Sequence, residues 1–149
     1  MRYFAYGSNL SISFMWEYCP STRFVMKADL PNYQVEFRHY SEEFKGGISS
    51  IIETPGELVR GVIYEIEDAE IEAMDILESI PEGLYRRETF LVLGEDGDWH
   101  KADLYRVVVP DGPFIPAKQY VDYMITGARE HKLDPTYVEH FIKLRESLG

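Results

Sequence analysis

The sequence contains little cysteine and few basic residues. Cys19 is the one cysteine among 149 residues, so no intramolecular disulfide can form and no second thiol completes a metal-binding or redox motif. This cysteine usage favours a reducing cytoplasm. Lysine and arginine total 15 against 26 aspartates and glutamates, which gives a formal net charge of −11. Because this charge repels phosphate backbones and no basic cluster offsets it, we expect no nucleic acid partner.

Long apolar runs and metal-ligand patterns are also absent from the sequence. No segment approaches the roughly 18 apolar residues that span a bilayer. Since the N-terminus also turns polar after six residues, we expect neither a membrane-embedded protein nor a classical secretion signal. The four histidines have no spacing that brings two of them onto one face as ligands, so no zinc or iron site is expected.

The elements that are present predict a single α+β domain over residues 1–149. Its hydrophobic content of 45% allows a sizeable core and one cleft. Short strands are predicted over 3–6, 23–28, 33–39, 48–53, 59–66, 87–93 and 99–109, separated by turn-forming residues at 30–32, 45–47, 54–56 and 94–98. Helices are predicted over 12–18, 68–78 and 116–131, and a last helix opens with Asp134 as its cap and Pro135 at its first position. This irregular mixture favours a mixed or barrel-like sheet.

The most distinctive local motif is Tyr6-Gly7-Ser8-Asn9, between a predicted strand and a predicted helix. Glycine allows a sharp turn and a close backbone approach to a ligand. Ser8 and Asn9 are good helix caps, and the amides at the start of a helix suit a carboxylate or a developing oxyanion. The alternative is a capped turn with no ligand, since the motif lacks the lysine of a phosphate loop.

A second candidate is Glu78, at the end of the helix predicted over 68–78. With about 100° per residue, Ile71, Met74 and Leu77 mark the apolar face, and Glu78 falls within that stripe. Burial and the negative end of the helix dipole would both raise the pKa of its carboxyl, which suits a proton shuttle near neutral pH. The alternative is a frayed, solvated glutamate at a helix end.

The N-terminal segment Tyr3-Phe4-Ala5-Tyr6-Gly7-Ser8-Asn9-Leu10 resembles the signature of the γ-glutamylcyclotransferase-like (AIG2-like) superfamily. Five shorter strings continue the resemblance in the same order. They are Gly46-Gly47-Ile48, Gly61-Val62-Ile63-Tyr64, Met74-Asp75-Ile76-Leu77-Glu78 and Gly83-Leu84-Tyr85, followed by Gln119-Tyr120. The resemblance therefore covers nearly the whole chain.

This resemblance implies a small mixed β-barrel with flanking helices and an enzyme that needs no metal or organic cofactor. The implied reaction is cyclisation of a γ-glutamyl compound to 5-oxoproline, with release of an amine or amino acid. By position, the catalytic glutamate of the family corresponds to Glu78. The substrate-holding residues correspond to Tyr6, Gly7, Ser8, Asn9, Leu10, Tyr85 and Tyr120.

The sequence departs from the family pattern after the helix. Where many members have a glutamate closely followed by glycine, Ser79-Ile80-Pro81-Glu82 intervene before Gly83, so Glu82 competes with Glu78 for the catalytic assignment. We prefer Glu78, because its distance from Asp75 fits the family pattern and Glu82 lies in a turn after Pro81.

The sequence leaves the substrate and two rival functions open. The leaving group could belong to a γ-glutamyl amino acid, to glutathione or to a γ-glutamylamine. One rival is a related enzyme that removes a γ-glutamyl protecting group from an amine in a biosynthetic pathway. The other is a non-catalytic module of the same fold that binds a small metabolite. The resemblance allows a homodimer, and no apolar patch in the sequence decides the oligomeric state.

Overall fold

The computed structural model describes residues 1–78 and 80–149 of the chain. Five strands are described: β1 (Arg2–Ala5), β2 (Arg23–Ser41), β3 (Gly46–Glu65), β4 (Tyr85–Gly94) and β5 (Trp99–Val107). The helices are α1 (Ile12–Tyr18), α2 (Asp68–Leu77), α3 (Lys118–Glu130) and α4 (Pro135–Ser147), and a single 3₁₀ turn covers Ser8–Leu10.

The strands close into a barrel in the order β1-β3-β2-β4-β5. The β1–β5 pair, which aligns Tyr3 with Asp103, is parallel, and the other pairs are antiparallel. The prediction of an α+β fold with a mixed barrel and flanking helices is confirmed. Apolar side chains fill the barrel, among them Phe4, Ile51 and Leu104, none of which is exposed to solvent.

Two predicted turns are wrong, because β2 and β3 are each one long strand. Residues 30–32 and 54–56 were expected to end strands, yet β2 and β3 stay paired on both sides of them. Asn32 and Gly56 adopt positive φ angles of 68° and 87°, and the Asn32 side-chain oxygen accepts a hydrogen bond from the Gly56 amide at 3.1 Å. The register shifts between Pro31 and Tyr33. The turn-forming residues therefore build a bulge inside a continuous hairpin.

Other predicted boundaries agree closely with the structure. The hairpin turn at 94–98 joins β4 and β5, and α1 spans the residues predicted for it. Asp134 caps α4, since its Oδ1 accepts hydrogen bonds from the amides of Thr136 at 2.9 Å and Tyr137 at 3.3 Å. Within residues 1–78 and 80–149, the structure contains no helix with the length and hydropathy needed to cross a membrane.

The close approach of α3 to the 3₁₀ turn fixes the segment that follows β1. A Cβ atom at Gly127 would overlap the backbone of Leu10 and Ser11, so only glycine allows this contact. The carbonyl oxygen of Leu10 also accepts hydrogen bonds from the Tyr64 hydroxyl at 2.8 Å and from His131 Nε2 at 3.0 Å. The 3₁₀ turn is therefore clamped between the barrel and α3.

Candidate active site

The Gly7–Asn9 segment lines a cavity that also borders residues of the barrel strands and of α1, α2 and α3. Its turn is closed by a hydrogen bond from the Leu10 amide to the Gly7 carbonyl at 3.0 Å. Ser8 and Asn9 were predicted as caps of α1, but the cap is Ser11, whose Oγ accepts from the Phe14 amide. The amides of residues 8 and 9 therefore belong to the 3₁₀ turn rather than to the start of α1.

Gly7 is required here because two side-chain oxygens crowd its α-carbon. A Cβ atom would overlap the Tyr120 hydroxyl and the Ser49 Oγ. Those two oxygens are hydrogen-bonded to each other at 2.6 Å. Because Gly7 has no side chain, Ser49 of β3 and Tyr120 of α3 can both pack closely against the loop.

Glu78 enters the same cavity from the end of α2. Its amide donates to the Met74 carbonyl at 2.8 Å, which continues the helical pattern one residue beyond Leu77. Of the predicted apolar stripe, Ile71 and Met74 are buried, whereas Leu77 is exposed at the end of the helix. Burial raises the pKa of the Glu78 carboxyl to about 7, while hydrogen bonding from the Asn9 side chain opposes the rise. The carboxyl is therefore divided between its protonated and ionised forms near neutral pH.

Asn9 links the loop to the carboxyl. Its side chain is 7% exposed, and its Nδ2 donates a hydrogen bond to the Tyr3 hydroxyl at 2.5 Å. Its Oδ1 is buried and has no hydrogen-bond partner among the described residues. An unsatisfied acceptor beside a cavity is energetically costly unless a ligand or solvent donates to it.

Buried tyrosines form the walls of the cavity. Tyr85 donates to the Ser49 carbonyl at 2.9 Å, and Tyr6 donates to the Tyr105 carbonyl at 2.5 Å. Burial raises the pKa of the phenols of Tyr6, Tyr85 and Tyr120 above the usual value. These groups are therefore neutral near pH 7 and act through hydrogen bonds and shape.

The cavity has a volume of about 180 Å³. It brings together the predicted residues Tyr6, Gly7, Ser8, Asn9, Glu78, Tyr85 and Tyr120. The predicted contact Leu10 does not line it, since its side chain is buried in the core. Glu82 is exposed and also lies outside the lining, which favours Glu78 over its competitor.

Sequence reasoning missed several lining residues, above all Ser49 and Tyr105. Ser49 follows directly after the Gly46-Gly47-Ile48 string, so the motif ended one residue short of it. Tyr105 lies near the end of β5 with no distinctive neighbours in the sequence. Only the closure of the barrel shows that both residues face the same space.

An ionic network holds α2, and with it Glu78, against the barrel. The Asp75 carboxylate accepts hydrogen bonds from Arg87 Nε at 3.0 Å and from the Tyr105 hydroxyl at 2.7 Å. Arg87 also donates to Asp103 at 2.6 Å. Arg87 is thus fully engaged with carboxylates of the fold, and it is not a lining residue.

We expect Asp75→Asn to destabilise the protein by about 1–3 kcal/mol, because the amide presents donors to partners that are themselves donors. Activity should fall with stability, since α2 carries Glu78. Urea unfolding and initial rates measure both effects. Asp122→Asn is the matched control, because Asp122 pairs with Arg145 on the exposed surface. This variant should lose less than about 1 kcal/mol of stability. Equal losses of stability and activity in the two variants would contradict a positioning role for Asp75.

Comparisons with known proteins agree over most of the chain. A family model described as the AIG2-like family matches residues 58–141. The γ-glutamylcyclotransferase of Mus musculus is 30% identical over 141 residues, and the match covers 92% of this chain and 74% of the mouse protein. The Homo sapiens γ-glutamylcyclotransferase is 29% identical, with the same coverage of 92% and 74%. A solved γ-glutamyl cyclotransferase structure matches with a TM-score of 0.90 at 27% identity, covering 95% of this chain and 85% of that one.

Proposed function

Because this chain belongs to the AIG2-like family and is an enzyme of the γ-glutamylcyclotransferase type, we propose that it cyclises a γ-glutamyl compound to 5-oxoproline and releases an amine. The observation that carries this proposal is the pairing of two features in one cavity. A carboxyl with a pKa of about 7, that of Glu78, shares the cavity with the Gly7–Asn9 loop. The first feature can move protons, and the second can hold a small polar substrate.

The reaction itself requires little more than folding of the substrate and proton transfer. The α-amine of the substrate attacks its own γ-carbonyl carbon, so a new C–N bond closes the five-membered lactam and the original amide C–N bond breaks. Because both reacting groups belong to one molecule, fixing their geometry supplies an effective molarity on the order of 10⁵ M. The protein must hold the folded conformation and exclude competing ones.

Glu78 is the proton shuttle in this proposal. Its ionised carboxylate takes a proton from the α-ammonium, which frees the nitrogen lone pair for attack. The protonated carboxyl then gives that proton to the departing amine, which restores the residue. The ring nitrogen loses its second proton as the lactam forms, and the released amine takes up a proton to become an ammonium, so the protons balance over each turnover. A pKa of about 7 makes both transfers accessible near neutral pH.

The neighbouring groups orient the substrate. The buried Asn9 Oδ1 lacks a partner among the described residues, so it can accept a hydrogen bond from the α-amine of the substrate while Nδ2 faces Tyr3 and Glu78. The backbone amides of the Gly7–Asn9 loop are the donors available for the α-carboxylate or the oxyanion. Tyr85 and Tyr120 border the remaining space as neutral walls.

Measuring 5-oxoproline release from a panel of γ-glutamyl compounds tests the proposal. We expect release from at least one of a γ-glutamyl amino acid, glutathione and a γ-glutamylamine, in buffer with no added metal. The same compounds should be screened by thermal shift. Stabilisation by a γ-glutamyl compound without any 5-oxoproline would overturn the cyclotransferase proposal in favour of a binding module.

The pH dependence of turnover follows from the titration of Glu78. Since the base must be ionised to accept the α-ammonium proton, kcat/KM should fall about tenfold per pH unit below a pH of about 7. Above that pH the titration of this carboxyl should cause no further increase in kcat/KM. Initial rates measured between pH 5 and 8 give the acidic part of this pH profile. A rate that stays constant down to pH 5 would contradict a base with this pKa.

A further inference from the structure

The charge of the cavity is negative. Glu78 lies inside it and Glu43, from the loop between β2 and β3, contributes to its mouth. No lysine or arginine is among the described lining residues, where His39 is the one side chain able to carry a positive charge. Glu43 forms no ion pair with any cation in residues 1–78 and 80–149, whereas the neighbouring Glu42 pairs with Lys45 at 3.6 Å.

Apolar side chains, some of them partly exposed, line the same cavity as Glu43. Phe44, Leu77 and Leu84 line the cavity, and Leu77 and Leu84 are 37% and 41% exposed. Tyr18 also borders this side, where burial and then the nearby charge of Glu43 raise the pKa of its phenol. The entrance therefore combines an apolar wall with one carboxylate that faces solvent.

The interior of the same cavity already accounts for the glutamyl part of a substrate. The buried Asn9 Oδ1 has no partner among the described residues and can accept from an α-amine. The loop amides can receive the one carboxylate that every γ-glutamyl compound carries. A second carboxylate, on the leaving group, would meet the unpaired Glu43 and no lysine or arginine of the described lining.

We propose that the released amine carries an aliphatic chain and a positive charge but no carboxylate, and that Glu43 selects it. This inference rests on the proposed cyclotransferase function and narrows its substrate class to γ-glutamyl conjugates of amines with a second, cationic amino group. The alkyl chain packs against Phe44, Leu77 and Leu84, and the terminal ammonium pairs with the Glu43 carboxylate.

Three γ-glutamyl conjugates that differ only at the far end of the leaving group test the inference. They are the conjugates of 1,5-diaminopentane, n-hexylamine and 6-aminohexanoate, which place an ammonium, a methyl or a carboxylate after five methylene groups. We expect kcat/KM for the ammonium conjugate to exceed that for the carboxylate conjugate by about tenfold at low salt, with the methyl conjugate between them. The difference should shrink as salt is added.

Substitution of Glu43 tests the residue assignment. In Glu43→Gln the preference for ammonium over carboxylate should shrink to about twofold. Glu43→Lys should reverse the preference. Glu42→Gln is the matched control, since Glu42 is the adjacent exposed acid and does not line the cavity; it should retain the original preference.

The outcomes separate this inference from the function on which it rests. Turnover of the carboxylate conjugate at a rate equal to or above that of the ammonium conjugate overturns the charge preference and leaves the cyclotransferase proposal intact. An unchanged preference in Glu43→Gln overturns the role of Glu43. Absence of 5-oxoproline from all three conjugates and from the wider γ-glutamyl panel overturns both proposals together.

Discussion

Glu78→Gln should lower kcat for 5-oxoproline release by about 10²–10⁴-fold while the fold is retained. Glutamine keeps the size and the hydrogen-bonding shape of the side chain, so it can still contact Asn9, but it cannot carry a proton between the two nitrogens. Substrate affinity should therefore change little. Initial rates at saturating substrate and a direct binding measurement separate the two effects.

The same substitution should stabilise the protein at alkaline pH, which distinguishes lost chemistry from lost folding. Burial raises the pKa of Glu78 from 4.5 to about 7 in the folded state. The folded state therefore binds the proton more tightly, and the free energy of unfolding falls as pH rises from 4.5 through about 7. Glutamine avoids this cost, so at pH 8 the variant should be more stable by about 1–3 kcal/mol. Urea unfolding at pH 4 and pH 8 should show a gain only at the higher pH.

Glu82→Gln is the matched control for this experiment. Glu82 is exposed and outside the cavity lining, so its variant should keep both the activity and the stability of the original protein. If Glu78→Gln retained near-original turnover while Glu82→Gln lost it, the proton shuttle would have to be reassigned to Glu82.

The two candidate features of the site were recognisable in the sequence for different reasons. The Gly7 loop lies next to β1 in an unbroken local string, so the motif could be recognised from adjacent residues, even though distant residues such as Tyr64 and Gly127 hold the turn in place. Glu78 could be singled out because Ile71 and Met74 fix the buried face of α2 through helical periodicity. Both are local properties, and sequence patterns report local properties well.

The residues that complete the cavity depend on long-range pairing. Ser49 reaches Tyr120, which lies 71 positions later in the chain, and Tyr6 reaches the Tyr105 carbonyl 99 positions away. No periodicity within a single element encodes such contacts. The bulge at Asn32 and Gly56 was missed for a related reason, since residues typical of turns also occur where two long paired strands bend.

Gly7→Ala should also have a large effect, because there is no room for a side chain at this position. The φ angle of Gly7 is −109°, outside the left-handed region that favours glycine. The added methyl group overlaps the Tyr120 hydroxyl and the Ser49 Oγ. The hydrogen bond between these two oxygens, 2.6 Å long, must then break or the loop must move. We expect a loss of stability of about 1–3 kcal/mol.

Activity should fall further than stability alone explains, because in the proposed mechanism the loop amides orient the substrate. A displacement of about 1 Å at such a position can reduce turnover about 10²-fold. Removing the two obstructing oxygens tests this cause directly. When the Gly7→Ala change is made in a Ser49→Ala, Tyr120→Phe background, both obstructing oxygens are gone, so the change should lower the stability by less than about 1 kcal/mol there. An equally large cost in both backgrounds would show that the effect of the methyl group does not come from contact with Ser49 and Tyr120.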